Sequence, residues 1–374
     1  MSDSLASDSL AKSTAEQLRK AAPALAKIKT VVGFDGFVDT ILHVVKTRHT
    51  PVQYDPYPQM KEWAERVSAA SGISANFEFA QQMVKLGGNG PIMANALNAA
   101  GLSLTYLGCL GKPALHPVFA DFAERVRVIS IAEPGYTDAL EFEDGKLMFG
   151  KHQSLKEVNW TNLLKHLPAE KLIKLFKDAG FIAIVNWTML TNLTGVLQKL
   201  LTTVMPKLGG ERRWVFFDLA DPAKRSREDL LDVVKLIAKY EKHARVILGL
   251  NLGEARQVSE VLGLGPVDET YGTVTHAASR IREALKVDTV VIHPVLFAGA
   301  ADATGSTHVV GPFTPKPKIT TGAGDHFNAG FCLGRILGLG LAESLQIGVA
   351  TSGFYVRSAK SPKVTDLVKF IKTL

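Results

Sequence analysis

Short apolar runs and amphipathic segments alternate along most of the chain. The runs that predict strands are rich in Val, Ile and Phe, and they span residues 30–34, 104–108, 181–186, 214–219, 246–250 and 289–293. Helical periodicity lies between them, at residues 93–100, 162–178, 191–205, 227–242, 253–262 and 271–285. Apolar strands without polar alternation are typical of sheets that are covered on both faces. The sequence therefore predicts an α/β fold of three layers, with a mostly parallel sheet between two layers of helices.

One segment departs from this rhythm. In residues 137–150, apolar and polar side chains alternate around Asp144-Gly145, which predicts a β-hairpin. An antiparallel hairpin inside an α/β chain often forms a lid over a site. The first strand also continues through residues 41–45, so this continuation can pair with the hairpin.

The organisation of the chain follows from these segments. Residues 1–29 predict an N-terminal extension with a helix over about residues 10–27, and residues 30–374 predict one domain. Within that domain we expect lid elements near residues 40–48 and 128–152 and an insertion near residues 50–85.

Residues 318–330 read KITTGAGDHFNAG and carry the strongest chemical signal. Gly322 and Gly324 flank Ala323, and Asp325 follows just where an apolar helical pattern begins. Glycine brings backbone N–H groups close to a ligand, and a helix N-terminus adds free donors and partial positive charge. Such a turn suits a phosphate, whereas the carboxylate suits proton transfer from a hydroxyl. The segment predicts phosphoryl transfer to an alcohol; the alternative is a plain turn with an aspartate cap.

Two earlier segments predict a site for the substrate. Asp35 and Asp39 follow the first strand, at the sheet edge where ligands bind in α/β folds, and paired carboxylates can hold adjacent sugar hydroxyls. Gly87, Gly88 and Asn89 place an amide on a loop that a ligand can approach closely. Ordinary turn chemistry is the alternative for both segments, because Asp, Asn and Gly dominate turns.

A further segment predicts the site for a metal or for phosphates. Asn251 and Glu254 are three residues apart at the end of a strand, and an amide with a carboxylate can hold Mg²⁺ through water. The alternative is a capping box, in which Asn is the cap and Glu the third helical residue. Asp218 ends another strand and is a second candidate for nucleotide or phosphate binding.

Bulk properties narrow the class of protein. The net charge of +7 suits an anionic ligand, but the basic residues are dispersed, so we expect no nucleic-acid partner. No apolar run approaches the roughly 18 residues of a membrane span, and no P-loop or dinucleotide motif occurs in register. Cys109 and Cys332 are isolated in apolar segments, which favours free thiols and a cytoplasmic location.

The order of these segments resembles the ribokinase-like (PfkB) carbohydrate kinase family over about residues 30–360. The matching features are, in chain order, Asp39 or Asp35, Gly87-Gly88-Asn89, the hairpin, Asn251-x-x-Glu254 and Gly322-Ala323-Gly324-Asp325. The resemblance implies a kinase that transfers the γ-phosphoryl group of ATP to a hydroxyl of a sugar or sugar-like substrate.

The resemblance also implies roles for individual residues. Asp325 would be the base and the Gly-Ala-Gly backbone the anion hole. The Asn-x-x-Glu pair would support Mg²⁺ and the phosphates, while the early aspartate and Gly-Gly-Asn would hold the sugar. It further suggests a homodimer formed through the lid. A nucleoside kinase of the same fold and a non-catalytic sugar- or nucleotide-binding relative are the alternatives.

The sequence departs from the family pattern at several positions. Ile319 replaces an acidic residue six positions before the base, and Ile92 replaces a second Asn. His293 and the residues after it replace the expected Thr-x-Gly, and Lys112 begins a segment that replaces Gly-x-Asp. We expect the phosphoryl-transfer core to be kept and the sugar and adenine pockets to be altered.

Overall fold

The computed structural model describes residues 2–374, with side chains from residue 9 onward. Its strands are β1 (Lys29–Phe34), β2 (Phe37–Arg48), β3 (Tyr54–Pro56), β4 (Phe79–Gly87), β5 (Ser103–Gly108), β6 (Arg127–Ser130), β7 (Gly135–Phe142), β8 (Gly145–Lys151), β9 (Phe181–Ile184), β10 (Trp214–Asp218), β11 (Arg245–Asn251), β12 (Thr289–His293), β13 (Phe297–Asp302) and β14 (Gly305–Val310).

The helices are α1 (Ser2–Ala21), α2 (Met60–Ser68), α3 (Asn89–Ala99), α4 (Ala120–Arg125), α5 (Trp160–His166), α6 (Ala169–Asp178), α7 (Leu193–Lys199), α8 (Arg227–Lys239), α9 (Leu252–Val261), α10 (Tyr271–Leu285), α11 (Ala323–Ile336), α12 (Leu341–Ser358) and α13 (Val364–Ile371).

Within the described residues, nine strands form the larger sheet in the order β14-β13-β12-β11-β10-β9-β1-β5-β6. The run from β12 to β6 is parallel, and β13 and β14 add an antiparallel edge. Successive residues of a strand face opposite layers: Val31 lies in one hydrophobic core and Val32 in the other. The predicted three-layer α/β fold with a mostly parallel sheet is confirmed.

Several predicted elements have different bounds. Pro168 separates α5 from α6, where one helix was predicted over residues 162–178, because proline lacks the N–H that a helix interior needs. Strand β9 ends at Ile184, since Asn186 has a φ of 62° and leaves the extended conformation. Helix α10 has the predicted bounds.

A smaller sheet lies beside the larger one, and we call it the lid sheet. Its central strand β2 pairs with β3, β4 and β7, and the predicted hairpin forms from β7 and β8 around Gly145, whose φ is 147°. Strand β6 covers residues predicted to begin the lid, but it pairs with β5 in the larger sheet. The division into an N-terminal extension and a kinase domain stays a prediction.

The lid sheet has two different faces. On its outer face Leu42, Val44 and Leu140 form a small core against Trp63 of α2. Register places Asp39 opposite Lys85 of β4 and beside Thr137 of β7, so these residues share the other, inner face. The sheet therefore presents its polar row on the face that α2 leaves uncovered.

The N-terminal helix packs onto the domain. Leu18 and Ala15 of α1 are fully buried and belong to the core that α12 and α13 also line. None of the helices in the described part of the chain has the length and apolar character needed to cross a membrane.

Candidate active site

Four parallel strands end at one edge of the larger sheet and place polar residues there. Asp35 follows β1, Asp218 ends β10, Asn251 ends β11 and His293 ends β12. Helices α3 and α11 begin near this edge, because Asn89 at the start of α3 contacts Asp325 at the start of α11. This edge is where ligands bind in open α/β sheets.

Asp35 organises the start of α3. Its carboxylate accepts hydrogen bonds from the backbone N–H groups of Asn89 at 3.0 Å and Gly90 at 2.8 Å, and from the Asn186 amide at 2.7 Å. The Tyr106 hydroxyl donates to its backbone carbonyl at 2.7 Å. Burial raises the pKa of Asp35 to about 6, and these hydrogen bonds oppose the shift. Asp35 is fully buried, so its carboxylate holds the loop that carries Asn89.

Asn89 links the two helix starts. Its side-chain amide donates to Oδ1 of Asp325 over 2.9 Å, between residues 236 positions apart in the sequence. Burial raises the pKa of Asp325 to about 8; the Asn89 hydrogen bond opposes the shift, and the charges of Asp35 and Glu254 add to it. Asp325 is therefore a carboxylate poised near neutral pH, which is the range suited to proton transfer.

The turn that leads into α11 and includes its first two residues, residues 320–324, is called the glycine turn here. Gly322 has a φ of 90°, a conformation that favours glycine, and α11 begins without a side-chain cap. The N–H of Ala323 donates to the Thr320 carbonyl at 3.1 Å. Among the described residues, the N–H groups of Gly322 and Gly324 have no acceptor. They are the donors that the turn offers to an anion.

Asp218 carries an unpaired carboxylate oxygen. Its Oδ2 accepts from the Asn328 amide at 3.1 Å, while its Oδ1 has no hydrogen-bond partner among the described residues. Burial raises the pKa of Asp218 well above its usual range, and the nearby charges of Glu254, Asp325 and Asp35 raise it further. A buried acceptor with no donor is costly, so this oxygen is suited to a cation or a donating ligand.

Asn251 and Glu254 form the capping box that was the alternative interpretation of this segment. The Asn251 side chain accepts from the Glu254 N–H at 2.9 Å, and Glu254 accepts from the Asn251 N–H at 2.7 Å. The second Glu254 oxygen accepts from the Asp221 N–H at 2.9 Å. Each oxygen of Glu254 thus already accepts one backbone hydrogen bond, which leaves one lone pair on each oxygen for a cation or a water molecule.

Asp39 faces the inner side of the lid sheet and is nearly fully buried. Burial raises its pKa, while Lys85, a hydrogen bond from Thr137 and the charge of Lys146 oppose the shift. A side chain at Gly87 would collide with the Asp39 carboxylate, which explains the glycine there. Burial lowers the pKa of Lys85, against the attraction of Asp39.

Two of the family departures, Ile92 and His293, lie beside the glycine turn. A Cβ at Gly322 would meet Ile92 at 3.1 Å, and a Cβ at Gly324 would meet the His293 ring at 3.2 Å. His293 also packs on Phe327, with 4.8 Å between ring centroids, and burial lowers its pKa to about 4. Ile92 and His293 thus enclose the turn from two sides.

The structure brings most of the predicted residues together, though not as a ready metal cluster. Asp35, Asn89 and Asp325 are joined by hydrogen bonds, and Glu254 and Asp218 are close enough to shift pKa values. In the described part of the chain, no group of three or more His, Cys, Asp or Glu residues is arranged to hold a metal ion.

Sequence reasoning missed several residues of the site. They are Asn186, which donates to Asp35, Asn328, which donates to Asp218, and the stacked pair His326 and Tyr355 beside the glycine turn. Asn186 is the last residue of a predicted strand, and the end of a strand is the same signal that identified Asp218. The other three lie within helices α11 and α12 and carry no signal of their own.

Solved structures with this fold include sugar and nucleoside kinases. Phosphofructokinase-2 from Escherichia coli, in complex with substrates and products, has a TM-score of 0.64 at 17% identity and covers 93% of this chain and 99% of its own. Arabidopsis thaliana ribokinase with ribose and ATP has a TM-score of 0.63 at 15% identity, covering 93% and 99%. The Methanocaldococcus jannaschii nucleoside kinase has a TM-score of 0.57 at 17% identity, covering 92% and 98%. The fold is that of the ribokinase-like kinases.

Sequence comparison narrows the class. The model of the prokaryotic ketohexokinase family matches residues 7–374. A ketohexokinase from Haloferax volcanii is 30% identical over 344 residues, which cover 91% of this chain and 90% of the relative. The chain belongs to the prokaryotic ketohexokinase family and is an ATP-dependent sugar kinase, as the resemblance implied.

Proposed function

We propose that this kinase phosphorylates a hydroxyl of a ketohexose, the substrate class in the name of its family. The observation that carries the proposal is the Asn89–Asp325 hydrogen bond of 2.9 Å, which joins the predicted sugar loop to the predicted base. A hydroxyl that replaces Asn89 as the partner of Asp325 would lie next to the glycine turn, where the phosphoryl group would be bound.

In this proposal Asp325 accepts the proton of the attacking hydroxyl. The N–H groups of Gly322 and Gly324 stabilise the charge on the transferring phosphoryl group, and the peptide of Ala323 fixes the turn between them. Donors aimed at developing charge in a site closed to water commonly supply the largest part of catalysis. Closure of the lid sheet over the sugar would exclude water and suppress hydrolysis of ATP.

The residues at the sheet edge fit Mg²⁺. Asp218 offers an unpaired buried carboxylate oxygen, and oxygen ligands are what Mg²⁺ prefers. Asn251 and Glu254 would act through water, because Mg²⁺ usually keeps several of its water ligands. Bound Mg²⁺ would neutralise charge on the phosphates of ATP.

The balance of charge on the inner lid face favours a neutral sugar as the substrate over a sugar phosphate. Lys85 lies opposite Asp39, and Lys146 donates to Glu141 over 2.9 Å, so each cation on this face is balanced by a carboxylate. A phosphate would need uncompensated positive charge. Asp39 and Thr137 are the groups we assign to sugar hydroxyls, and Asp35 supports them through Asn89.

The test is release of ADP from ATP·Mg²⁺ with fructose, other hexoses, ribose, fructose phosphates and adenosine, beside Asp325→Asn. Activity on a ketohexose that collapses in the variant supports the proposal, and ³¹P NMR of the product identifies the hydroxyl. Preference for adenosine would support the nucleoside kinase alternative. Binding of ATP and sugar without turnover would support the non-catalytic alternative.

Two further features belong to the proposal. Exposed apolar residues on the lid, among them Met83 at 54% and Met148 at 48% exposure, fit a homodimer in which one lid covers another.

Cys109 and Cys332 are free, buried thiols, which fits a reducing compartment such as the cytoplasm. The absence of a nucleic-acid partner stays a prediction.

A further inference from the structure

We propose that Tyr355 and His326 are positioning residues that orient the backbone N–H donors of the glycine turn. The inference rests on the proposed function, since it concerns donors that would stabilise the transferring phosphoryl group. Tyr355 lies on α12 and His326 on α11, and their rings stack with 3.5 Å between centroids and an angle of 13° between planes. Neither residue has a role in the chemistry described above.

Tyr355 fixes the first peptide plane of the turn. Its hydroxyl donates to the carbonyl of Thr321 at 2.9 Å. The peptide group is planar and trans, so the carbonyl of one residue and the N–H of the next point in opposite directions. Holding the Thr321 carbonyl therefore sets the direction of the Gly322 N–H, which has no acceptor among the described residues.

His326 fixes the next peptide plane. Its Nδ1 lies 2.8 Å from the Gly322 carbonyl, which can only accept, so Nδ1 carries the proton. Its Nε2 lies 2.9 Å from the Ser361 hydroxyl, which donates to it. Ser361 accepts in turn from the Asn95 amide of α3 at 3.3 Å. The Gly322–Ala323 peptide, whose own N–H donates to Thr320, is thus tied to α3 and to the segment after α12. This peptide lies between the N–H donors of Gly322 and Gly324, so holding it restrains both.

The two contacts act on consecutive carbonyls of one turn. The Tyr355 hydroxyl also lies 3.3 Å from the position of a Cβ on Gly322, so the tyrosine packs directly against the turn. Burial raises the pKa of Tyr355 to about 12, with a contribution from Asp325, and burial lowers the pKa of His326 to about 4. Both groups keep these donor and acceptor roles at any working pH.

The effects on kcat and KM distinguish a positioning residue from a residue that only packs. Tyr355→Phe and His326→Phe keep the stacked rings and remove the hydrogen bonds. We expect kcat to fall about tenfold in each, less than the hundredfold or more for removal of a whole donor. KM for sugar should stay within about twofold, because the ground state needs the donors less than the transition state. His326→Asn should restore kcat, since its Nδ2 reaches as far as the imidazole Nδ1.

The chain offers matched controls. Tyr240 is fully buried and its hydroxyl donates to the Leu197 carbonyl at 2.6 Å, in the core on the other side of the larger sheet. The Nδ1 of His166 lies 3.0 Å from the carbonyl four residues before it, as His326 does with Gly322. Tyr240→Phe and His166→Phe should lose comparable thermal stability and keep kcat.

Binding of ADP·aluminium fluoride, which imitates the transferring phosphoryl group, is the deciding measurement. With sugar present, its affinity should fall about tenfold in Tyr355→Phe while the affinity for a non-hydrolysable ATP analogue stays unchanged. Equal weakening of both ligands, or an unchanged kcat, would overturn the inference. Wild-type turnover of a ketohexose and its loss in Asp325→Asn are established first, so failure of the proposed function is seen separately.

Discussion

Asp325 is buried at the first turn of α11, and burial raises its pKa to about 8. A base must be ionised to accept a proton, so kcat/KM, which reports on the free enzyme, should rise about tenfold per pH unit up to about pH 8 and then level. Asp325→Asn should lower kcat by about 10²–10⁴, the usual contribution of a general base. Initial rates of the wild type between about pH 6 and pH 9 measure the profile; a flat profile would argue against Asp325 as the base.

The raised pKa of Asp325 also predicts that the stability of the protein falls as pH rises, whereas its activity rises. Between the ordinary value of 3.8 and about 8, folded Asp325 holds a proton that the unfolded chain releases. Its contribution to stability is therefore full at low pH and declines as pH rises through this window. Asp325→Asn cannot ionise, so its Tm should exceed that of the wild type at about pH 8–9 and approach it near pH 4. Thermal melts across this range measure the difference, and a constant difference would contradict the assigned pKa.

Gly322 tests the glycine turn itself. Gly322→Ala places a methyl group 3.1 Å from the Ile92 side chain at a φ of 90°, so either Ile92 or the turn must give way. Gly338→Ala has a similar φ of 75° with open space around it, at the end of α11. Both variants should lose about 1 kcal/mol from the left-handed conformation. Only Gly322→Ala should lose activity, about a hundredfold in kcat; equal activity losses would show that strain alone is responsible.

At the residue scale, sequence alone identified residues with an unusual local composition. Gly322, Gly324 and Asp325 stand out because two glycines and a carboxylate interrupt an apolar pattern. Tyr355 and Asn328 do not, because each is one polar group in an apolar helix, and its meaning depends on a carbonyl or carboxylate brought near by folding. Long-range pairs of this kind are invisible to spacing rules.

At the element scale, the buried parallel strands were predictable because both faces are covered and nearly every residue is apolar. Strand β4 was not, since most of its residues are exposed or half-buried and its sequence does not alternate. The antiparallel edge formed by β13 and β14 was also missed; β13 is rich in Ala, which is depleted in strands, and β14 is short and mostly exposed. The lid was predicted from the hairpin and from the continuation of the first strand, and this continuation does pair with the hairpin, since β2 runs parallel to β7.

The lid sheet depends on α2 for its outer core. Trp63 lies 5.8 Å from Phe142 and 6.4 Å from Phe149 between ring centroids, and these contacts hold α2 against β7 and β8. Trp63→Ala should loosen the lid, raising KM for sugar several-fold and increasing the share of ADP formed without sugar phosphate, because water enters the site.

Parallel assays of ADP and sugar phosphate measure that share. Trp160→Ala is the control, because Trp160 is also partly buried but packs on the main core. Trp160→Ala should lower the stability of the protein without increasing the share of ADP formed without sugar phosphate. If Trp63→Ala forms ADP and sugar phosphate in equal amounts, the lid keeps its closed form without this core.

At the scale of the whole molecule, the inner face of the lid sheet serves two purposes. Its polar row, Asp39, Lys85 and Thr137, lies toward the glycine loop at Gly87, and its apolar row carries Met83 and Met148. Met83 pairs with Ile41, and Ile41 pairs with Ala139, the partner of Met148, so the two methionines share this face. Exposed apolar side chains beside a buried polar row favour coverage by a second protein surface.

This arrangement predicts that a second lid both forms the dimer and limits access of water to the sugar. Met83→Lys with Met148→Lys should convert a dimer to a monomer by light scattering and raise KM for sugar, because like charges would face each other across the interface. Ile73→Lys, at a position 70% exposed in the segment after α2, should leave both quantities unchanged. A wild-type monomer would remove the partner lid from the proposal; a monomeric double variant with unchanged KM would separate assembly from sugar binding.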